Sequence, residues 1–280
     1  MILIIGATGV VGRPTVDLLL RDGADVVAVT RAPSTAALPP GARTVGGDPS
    51  HPQTLDAALP GVEAMLISPR ATGPGLRDLL RLAAGHGVRR AVLLSAATVA
   101  YPAGEPRFVD QFKRAEDLVT GSGLEWTVLR PADFAANALA WAPQIKATGM
   151  VKGAFGRAAT SPIHEHDIAA VAVQALRTSD HSGATYTLTG PQSLDQPAKV
   201  EMIAEAIGRD LRFQELPAER VREAMLAQGL PEEVPSRLLG SLADYADVPG
   251  PTTRTVEELL GRPALTFGEW ARGNAEAFSH

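Results

Sequence analysis

The sequence predicts an α/β fold in which a doubly wound parallel sheet precedes a small, mainly helical C-terminal region. Short apolar runs alternate with amphipathic segments over the first 130 residues, and a glycine-rich turn joins the first run to the first of these segments. The C-terminal part, which contains prolines at 231, 235, 251 and 263, is predicted to be helical and to cap the carboxyl ends of the sheet. The alternative is that its helices complete the core or form a dimer contact. We therefore predict one domain over residues 1–190 and a helical region over residues 191–280.

The apolar runs predict strands, and the amphipathic segments between them predict crossover helices. The predicted strands cover residues 2–5, 25–29, 43–45, 63–67, 90–94 and 125–129, with a further strand near 184–189. The predicted helices lie near 13–21, 53–59, 74–86 and 112–121, and residues 32–41 form a loop. In the C-terminal region we expect helices that start near Asp195 and Ala218. Two capping-box patterns, Thr255-x-x-Glu258 and Thr266-x-x-Glu269, predict two more helices.

The turn after the first strand has the spacing that a dinucleotide pyrophosphate requires. Gly6 permits a tight turn, Gly9 lets backbone N–H groups approach the phosphates, and Gly12 lets the helix pack closely on the strand. The N-terminus of that helix then faces the anion. The alternative is a glycine turn with a structural role only. The predicted cofactor contacts here are Gly6, Thr8, Gly9, Val10, Val11 and Gly12.

Composition excludes several classes of protein. The chain has 280 residues and no cysteine, which excludes disulfides, thiolate metal sites and a cysteine nucleophile. A net charge of −5 without a basic tract argues against nucleic-acid binding. No apolar stretch reaches the roughly 20 residues of a membrane helix, and the first strand begins at the second residue. We therefore expect a cytoplasmic protein with neither a signal peptide nor a membrane partner.

Several spaced motifs occur in one order along the first 190 residues, and together they carry a family resemblance. They are Gly6-Ala7-Thr8-Gly9-x-x-Gly12, Gly47-Asp48, Ser122-Gly123-Leu124-Glu125-Trp126-Thr127-Val128-Leu129-Arg130-Pro131, Ile163-x-x-x-Asp167-Ile168-Ala169 and Tyr186-x-Leu188-Thr189-Gly190-Pro191. This set resembles the NmrA-like branch of the atypical short-chain dehydrogenases. The resemblance implies a Rossmann fold with a small C-terminal substrate region and NAD(P) as the ligand.

The same resemblance implies further cofactor contacts. It puts Asp48 near the adenine, while Ser68, Pro69 and Arg70 border the inner half of the cofactor. It does not fix a reaction, because the branch includes quinone reductases, other reductases and redox sensors without catalysis.

The end of the second strand favours NADP(H) over NAD(H). An NAD binder usually offers a carboxylate to the ribose about 20 residues after the glycine turn, whereas this strand ends with Val29-Thr30-Arg31. The planar guanidinium of Arg31 can hold a 2′-phosphate, with Thr30 beside it. The alternative is an ordinary solvated arginine at a strand end.

The catalytic pattern departs from that of carbonyl-reducing short-chain dehydrogenases. Those enzymes usually place a tyrosine four residues before a lysine, so that the phenol protonates the substrate oxygen. Here Val109 precedes Lys113 at that spacing, and Tyr101 lies twelve residues upstream. Ser95 follows the fifth strand, where the family keeps its serine. Lys113 and Ser95 are therefore candidates both for catalysis and for cofactor binding.

Each of these two candidates has a structural alternative. The hydroxyl of Ser95 can form a hydrogen bond with a backbone group at the strand end. Lys113 can belong to a polar helix face together with Arg114, Glu116 and Asp117.

The missing phenol narrows the substrate class. Hydride addition to a quinone gives a stabilised hydroquinone anion that water can protonate, whereas a simple ketone needs a matched acid. Phe134 and Asn137 are expected to line the substrate pocket, and residues 135–162 to contribute to it. If its side chain turns into the cleft, His164 is the best substitute proton donor in the chain. We predict no metal at His164-Glu165-His166-Asp167, because Asp167 is more simply a helix-capping or first-turn acid.

The sequence thus predicts an NADPH-dependent reductase of a small, flat electrophile of quinone type. One alternative is a reductase or isomerase of a specialised metabolite in which His164 or Tyr101 supplies the proton. The other is an NADP(H) sensor that acts through a protein partner without turnover. The expected partner of the enzyme is a small molecule, and a homodimer is left open.

Overall fold

The computed structural model describes residues 1–279, which form two compact units. The first unit comprises Met1–Ala96, Gln111–Pro131 and Glu165–Thr187. The second comprises Ala97–Asp110, Ala132–His164 and the chain from Leu188 onward. Residues 135–162 thus belong to the same unit as the C-terminal helices. The domain boundary at residue 190 stays a prediction. Each of the two units is built from several separate stretches of chain.

Nine strands and twelve α-helices are present in the described chain. The strands are β1 (Ile2–Ile5), β2 (Val26–Thr30), β3 (Arg43–Gly46), β4 (Ala64–Ile67), β5 (Arg90–Leu94), β6 (Glu125–Pro131), β7 (Met150–Gly153), β8 (Ala184–Leu188) and β9 (Arg212–Glu215). The helices are α1 (Gly12–Arg21), α2 (Pro69–Thr72), α3 (Leu76–Gly85), α4 (Pro106–Thr120), α5 (Ala142–Thr148), α6 (Glu165–Arg177), α7 (Gln196–Ile207), α8 (Ala218–Ala227), α9 (Glu233–Asp247), α10 (Thr255–Leu260), α11 (Phe267–Gly273) and α12 (Ala275–Phe278). The longer 3₁₀ helices are Pro52–Ala58 and Ala135–Trp141.

A seven-stranded sheet organises the first unit, with strand order β3-β2-β1-β4-β5-β6-β8. Pairing is parallel from β3 through β6, with Ile2 of β1 opposite Val26 on one side and Ala64 on the other. The chain moves outward in one direction from β1 and in the other from β4, which makes their junction the topological switch point where such sheets bind ligands. The predicted α/β Rossmann class is confirmed.

The core of the first unit explains why these segments become strands and helices. All four residues of β1 and of β4 are buried, as continuous apolar strands covered on both faces should be. Helix α1 buries Val16 and Leu19, which the helical period puts on one face, and it packs against α6. Each large side chain buried in this way stabilises the fold by about 1.5–3 kcal/mol before the loss of chain entropy.

The second unit has its own core and a small sheet. Strands β7 and β9 form a parallel pair, and the helices bury Phe267, Trp270 and Phe278. The Phe267 and Trp270 rings stack with centroids 5.3 Å apart. Asp195 caps α7 by accepting a hydrogen bond from the Ala198 N–H at 2.8 Å. This core also includes Ile145 of α5 and Val151 of β7, so the C-terminal helices pack with the 135–162 segment inside the second unit.

The two capping-box predictions have opposite outcomes. Thr266 and Glu269 form the reciprocal pair at the start of α11, so that prediction is confirmed. The helix predicted at Thr255 is present as α10, but its capping box is wrong: α10 has Arg254 as its N-cap, and the Glu258 N–H bonds to the Arg254 carbonyl at 2.9 Å. Thr255 is already the first helical residue, one position too late for its side chain to cap.

Other elements differ from the predicted set. Helix α4 begins at Pro106, six residues before the predicted start, because proline is well suited to a first helical turn. Pro235 likewise lies in the first turn of α9, which runs through Asp247 and was not predicted. Strands β7 and β9 were not predicted, since each has four residues and little apolar pattern. No helix in residues 1–279 is long and apolar enough to cross a membrane.

Candidate functional site

Most of the predicted cofactor residues follow successive strands of the parallel sheet. The Gly6–Gly12 turn follows β1, Arg31 follows β2, and Asp48 lies two residues after β3. Ser68 follows β4, and Ser95 follows β5. Because β1 to β5 are parallel, their carboxyl ends lie at one edge of the sheet. The structure therefore brings these residues to the edge where open α/β sheets bind ligands.

The glycine turn has the geometry of a phosphate cradle. Gly6 adopts φ +83°, which favours glycine, and its carbonyl accepts a hydrogen bond from the Gly9 N–H at 2.9 Å. A Cβ at Gly12 would lie 2.1 Å from the Gly6 carbonyl oxygen, so only glycine allows α1 to start this close to the turn.

The residues between Gly6 and Gly12 divide into exposed and buried positions. Thr8, Gly9 and Val10 are exposed, and Val10 shows 49% of its surface although its side chain is apolar. Val11 is buried, so any contact that it makes with a ligand has to use its backbone. An exposed, tightly turned backbone at the start of a ten-residue helix fits a dinucleotide pyrophosphate.

Two arginines near this turn differ in what they bind. Arg13 donates to the carbonyls of Ala36 at 3.0 Å and Ala37 at 2.6 Å, and so fastens the 32–41 loop. Arg31 is exposed and makes no hydrogen bond or ion pair with any residue in 1–279. Thr30, beside it, accepts a hydrogen bond from the Ala32 N–H at 3.2 Å. Arg31 is therefore a cation at the end of β2 that is available to an anionic ligand.

The loop after β3 is stiffened by its own hydrogen bonds. The Asp48 carboxylate accepts hydrogen bonds from the Ser50 hydroxyl at 2.8 Å and from the Ser50 N–H at 3.0 Å. These two bonds, and then His51, hold the pKa of Asp48 below its ordinary value. The Asp48 N–H donates to the Thr54 hydroxyl at 2.8 Å. The adenine contact assigned to Asp48 stays a prediction, and this loop would offer it from a fixed position.

The turn after β4 touches the glycine turn. A Cβ at Gly6 would lie 3.1 Å from the Cβ of Ser68, so the two turns are in close contact. Pro69 and Arg70 begin α2, and Arg70 is exposed. These three residues thus border the glycine turn, as expected of a cofactor site, although their contacts stay predictions.

A buried carboxylate at the end of β5 was missed. Ser95 is 5% exposed and donates its hydroxyl proton to Glu116 at 2.5 Å. Arg130 donates to both Glu116 oxygens, through Nε at 2.9 Å and through a terminal nitrogen at 2.5 Å, and this pairing raises the pKa of Arg130. The Ser95 hydroxyl therefore donates its hydrogen bond to a side chain and not to a backbone carbonyl. Its catalytic and cofactor roles stay predictions, limited to what its lone pairs can accept.

The assignment of Glu116 to a polar helix face is wrong. Its side chain is 7% exposed, whereas Lys113, Arg114 and Asp117 are exposed. The buried residues of this stretch of α4 are Phe112, Ala115, Glu116 and Val119. This is the spacing of a buried helix face, and an acid within such a pattern was the signal available in the sequence. Lys113 makes no hydrogen bond or ion pair with residues 1–279, and its role stays a prediction.

The three predicted substrate residues lie in neighbouring segments of the second unit. Phe134 forms a parallel bridge with Ile163, and the Ala135 N–H donates to the Ile163 carbonyl at 2.9 Å. His164 directly follows Ile163, so it lies beside the Phe134 segment. Asn137 is exposed on the 3₁₀ helix that starts at Ala135. The structure thus brings Phe134, Asn137 and His164 together, while their contact with a substrate stays a prediction.

A second cluster that the sequence pattern did not indicate lies beside Asn137. Asp133 accepts hydrogen bonds from Asn137 at 2.8 Å, from the Thr160 hydroxyl at 2.7 Å and from Lys199 at 3.1 Å. Burial raises the pKa of Asp133, but Lys199 and the hydrogen bonds outweigh it, so the pKa lies below the ordinary value. A lysine inside the amphipathic α7 gave no sign of this contact, which only the fold creates.

The acidic residues of the His164-Glu165-His166-Asp167 segment lie at the start of α6. Glu165 and Asp167 lie in the first turn of α6, which confirms Asp167 as a first-turn acid. Within residues 1–279, no group of three histidine, aspartate, glutamate or cysteine side chains could hold a metal ion. Tyr101 is 45% exposed and lies in the second unit.

Known proteins resemble this chain over nearly its whole length. A family model described as NAD(P)H-binding matches residues 6–179. A (4-alkanoyl-5-oxo-2,5-dihydrofuran-3-yl)methyl phosphate reductase of Streptomyces griseus is 34% identical over 100% of this chain and 99% of the relative. An NAD(P)H azoreductase of Xenophilus azovorans is 32% identical over 99% of both chains.

A solved structure shares the whole fold. An NADPH-dependent quinone oxidoreductase from Escherichia coli, complexed with NADPH, superposes with a TM-score of 0.83 at 26% identity. The match covers 98% of this chain and 99% of the other. The predicted kinship with the atypical short-chain dehydrogenases is thereby confirmed. The chain belongs to the NAD(P)H-binding family, among its Rossmann-fold oxidoreductases.

Proposed function

We propose that this protein is an NADPH-dependent reductase that transfers a hydride to a small, flat, conjugated electrophile. The observation that carries the proposal is the pairing of an exposed glycine cradle with Arg31, a cation at the next strand end that has no partner within residues 1–279. A pyrophosphate and a 2′-phosphate are the two anionic groups of NADPH that such a pair would bind.

The relatives support a conjugated acceptor. Their names specify a quinone, an azo compound and a dihydrofuran whose ring double bond is conjugated to two carbonyl groups. Each accepts a hydride at one end of an electron-poor π system and leaves the electron pair delocalised at the other. A simple ketone would instead form a localised alkoxide, which needs a matched acid.

In this proposal, residues of the chain have separate roles in cofactor binding and substrate binding. NADPH supplies the hydride when bound. The glycine turn and Arg31 hold its phosphates, and Lys113 binds the nicotinamide ribose or offsets developing negative charge. Phe134 offers a ring against which a flat substrate stacks, and Asn137 offers hydrogen bonds. For a quinone the balance is one hydride and one proton per hydroquinone, and water provides the proton.

The test is NADPH oxidation followed by its near-ultraviolet absorbance. We expect turnover with 1,4-benzoquinone, an azo dye and an acyl-substituted dihydrofuranone, slower turnover with NADH, and none with cyclohexanone. Reduction of cyclohexanone would reveal a matched proton donor and favour the metabolite reductase or isomerase that uses His164 or Tyr101. Tight NADPH binding without turnover of any acceptor would refute the enzyme and favour the redox sensor.

The cytoplasmic location and the homodimer belong to this proposal as well. Sedimentation of the purified protein would give the oligomeric state, and a monomer at all concentrations would remove the homodimer.

A further inference from the structure

We propose that Asn137 and Tyr245 donate hydrogen bonds to the substrate oxygen on which negative charge develops, and that Asp133 is the residue that positions Asn137. This inference rests on the proposed reductase function and names the groups that would receive the substrate in the second unit.

The Asn137 amide has a fixed orientation. Its Nδ2 donates one proton to the Asp133 Oδ1 at 2.8 Å, which requires the nitrogen rather than the oxygen to face the carboxylate. The second N–H of that nitrogen has no partner within residues 1–279. Asn137 is exposed on its 3₁₀ helix, so this second proton is available to a ligand.

Asp133 is held from the other side by buried groups. Lys199 is 4% exposed, and its Nζ donates to the Asp133 Oδ2 at 3.1 Å and to the Thr160 hydroxyl at 2.6 Å. The Thr160 hydroxyl in turn donates to Asp133 at 2.7 Å. The carboxylate is thus fixed by three side chains, and the ammonium neutralises its charge. A neutral, rigid pair beneath an amide donor does not repel an anion as a lone carboxylate would.

Tyr245, on α9, is anchored beside this cluster. The Ala159 N–H donates to the Tyr245 carbonyl at 3.2 Å, which anchors the tyrosine next to Thr160. The side chain is half-buried, and its hydroxyl makes no hydrogen bond within residues 1–279. Burial raises the pKa of Tyr245, and the charges of Asp133 and Asp244 raise it further. The phenol therefore stays protonated at neutral pH and keeps a proton to donate.

The hydrogen-bonding capacity of this cluster exceeds what the fold uses. Two donors remain unsatisfied within residues 1–279, the second Asn137 N–H and the Tyr245 hydroxyl, and both belong to the unit that contains Phe134 and His164. Preorganised neutral donors of this kind stabilise an oxyanion because they need not reorient when charge forms. The hydroquinone anion of the proposed reaction carries such an oxygen.

The experiment uses 4-nitrophenolate as a redox-inert oxyanion whose absorbance reports its ionisation. It is titrated into the full-length protein with saturating NADP⁺. We expect the bound probe to have a lower pKa than the free one. Asn137→Ala and Tyr245→Phe should each weaken probe binding about tenfold or more, as loss of a hydrogen bond to a charged acceptor does. Tyr186→Phe, in β8, is the matched control that should bind like wild type.

A double replacement separates positioning from folding. Asp133→Leu with Lys199→Met removes the pair without leaving a buried charge, so the protein should remain folded. The probe should then bind about tenfold more weakly. Adding Asn137→Ala to this variant should cause little further loss, because the amide has already lost its anchor.

Two results would overturn the inference: wild-type affinity for the phenolate in the Asn137 and Tyr245 variants, or no binding of the phenolate by wild type. Failure of the proposed function is a separate result, namely no oxidation of NADPH by any acceptor. The phenolate titration needs no turnover, so it decides the inference in either case.

Discussion

Replacing Gly12 by alanine tests the closest contact in the glycine turn. The added Cβ would lie 2.1 Å from the Gly6 carbonyl oxygen, 2.8 Å from its carbon and 2.9 Å from the Ala7 Cα. An ordinary contact begins at 3.4 Å, so the helix and the turn have to separate by about 1.3 Å, the difference between 3.4 Å and 2.1 Å. All three atoms are backbone, so no side chain can move aside to relieve the clash.

The size of the effect follows from this displacement. Overpacking of a rigid site costs about 1–3 kcal/mol, which lowers the Tm by on the order of 5 °C in a protein of this size. A shift of about 1 Å in the helix N-terminus should also weaken NADPH binding by on the order of a hundredfold, because donors and phosphate no longer align. Thermal denaturation and calorimetric titration with NADPH measure the two effects separately.

Gly85→Ala is the matched control for Gly12→Ala. Gly85 ends α3, and no atom lies within 4 Å of a Cβ placed there. This variant should bind NADPH like wild type and be equally or slightly more stable. If Gly12→Ala kept both the Tm and the NADPH affinity of wild type, the close approach of α1 to the turn would not be what forms the phosphate cradle.

Three further predictions concern charges. Arg31→Ala should weaken NADPH binding by about tenfold to a hundredfold and NADH binding by less than about twofold, because only NADPH carries a 2′-phosphate; equal losses in titrations with both would remove that assignment. Lys113→Ala should lower kcat or NADPH affinity about tenfold without changing the Tm. Arg114→Ala, at the exposed neighbouring residue, should have no effect on either. Wild-type kinetics in both variants would show that Lys113 lies on a solvated helix face without a role in binding or catalysis. Because the pKa of Asp133 is lowered in the folded state, its stabilisation is present above about pH 4 and is lost as pH falls through the folded-state pKa. The free energy of urea unfolding should therefore decrease less between about pH 5 and pH 2 in the Asp133→Leu/Lys199→Met variant than in wild type, and parallel curves would contradict the lowered pKa.

The central strands of the sheet could be predicted because they are short, buried apolar runs, with β1 and β4 buried throughout and β2 and β5 over most of their length. The predicted strands differ from those observed by at most two residues at either end, since a continuous apolar run between glycine or charged residues has few alternatives. Strands β7 and β9 were missed because only Val151 in the pair is buried, and pairing rather than pattern makes them strands. Helix α9 was missed because prolines in a first turn resemble breaks.

The cofactor side of the site could be predicted from local sequence. Gly6, Gly9 and Gly12 form one turn, and Arg31 follows one strand, so their placement depends on little beyond the parallel order of β1 and β2. The buried partners of Glu116 could not be predicted, because Ser95 and Arg130 lie 21 and 14 residues away in sequence. Its position on an apolar helix face did indicate burial, although not the ion pair.

The sequence by itself determined the fold class, the glycine turn and the cation at the end of β2, because each depends on residue order over a few positions. The tertiary structure alone decided which polar groups share a buried environment. Lys199 reaches Asp133 across 66 residues of sequence, and Thr160 reaches it across 27. Burying charges is unfavourable unless partners meet, and partners so far apart in sequence meet only when the helices of the second unit pack.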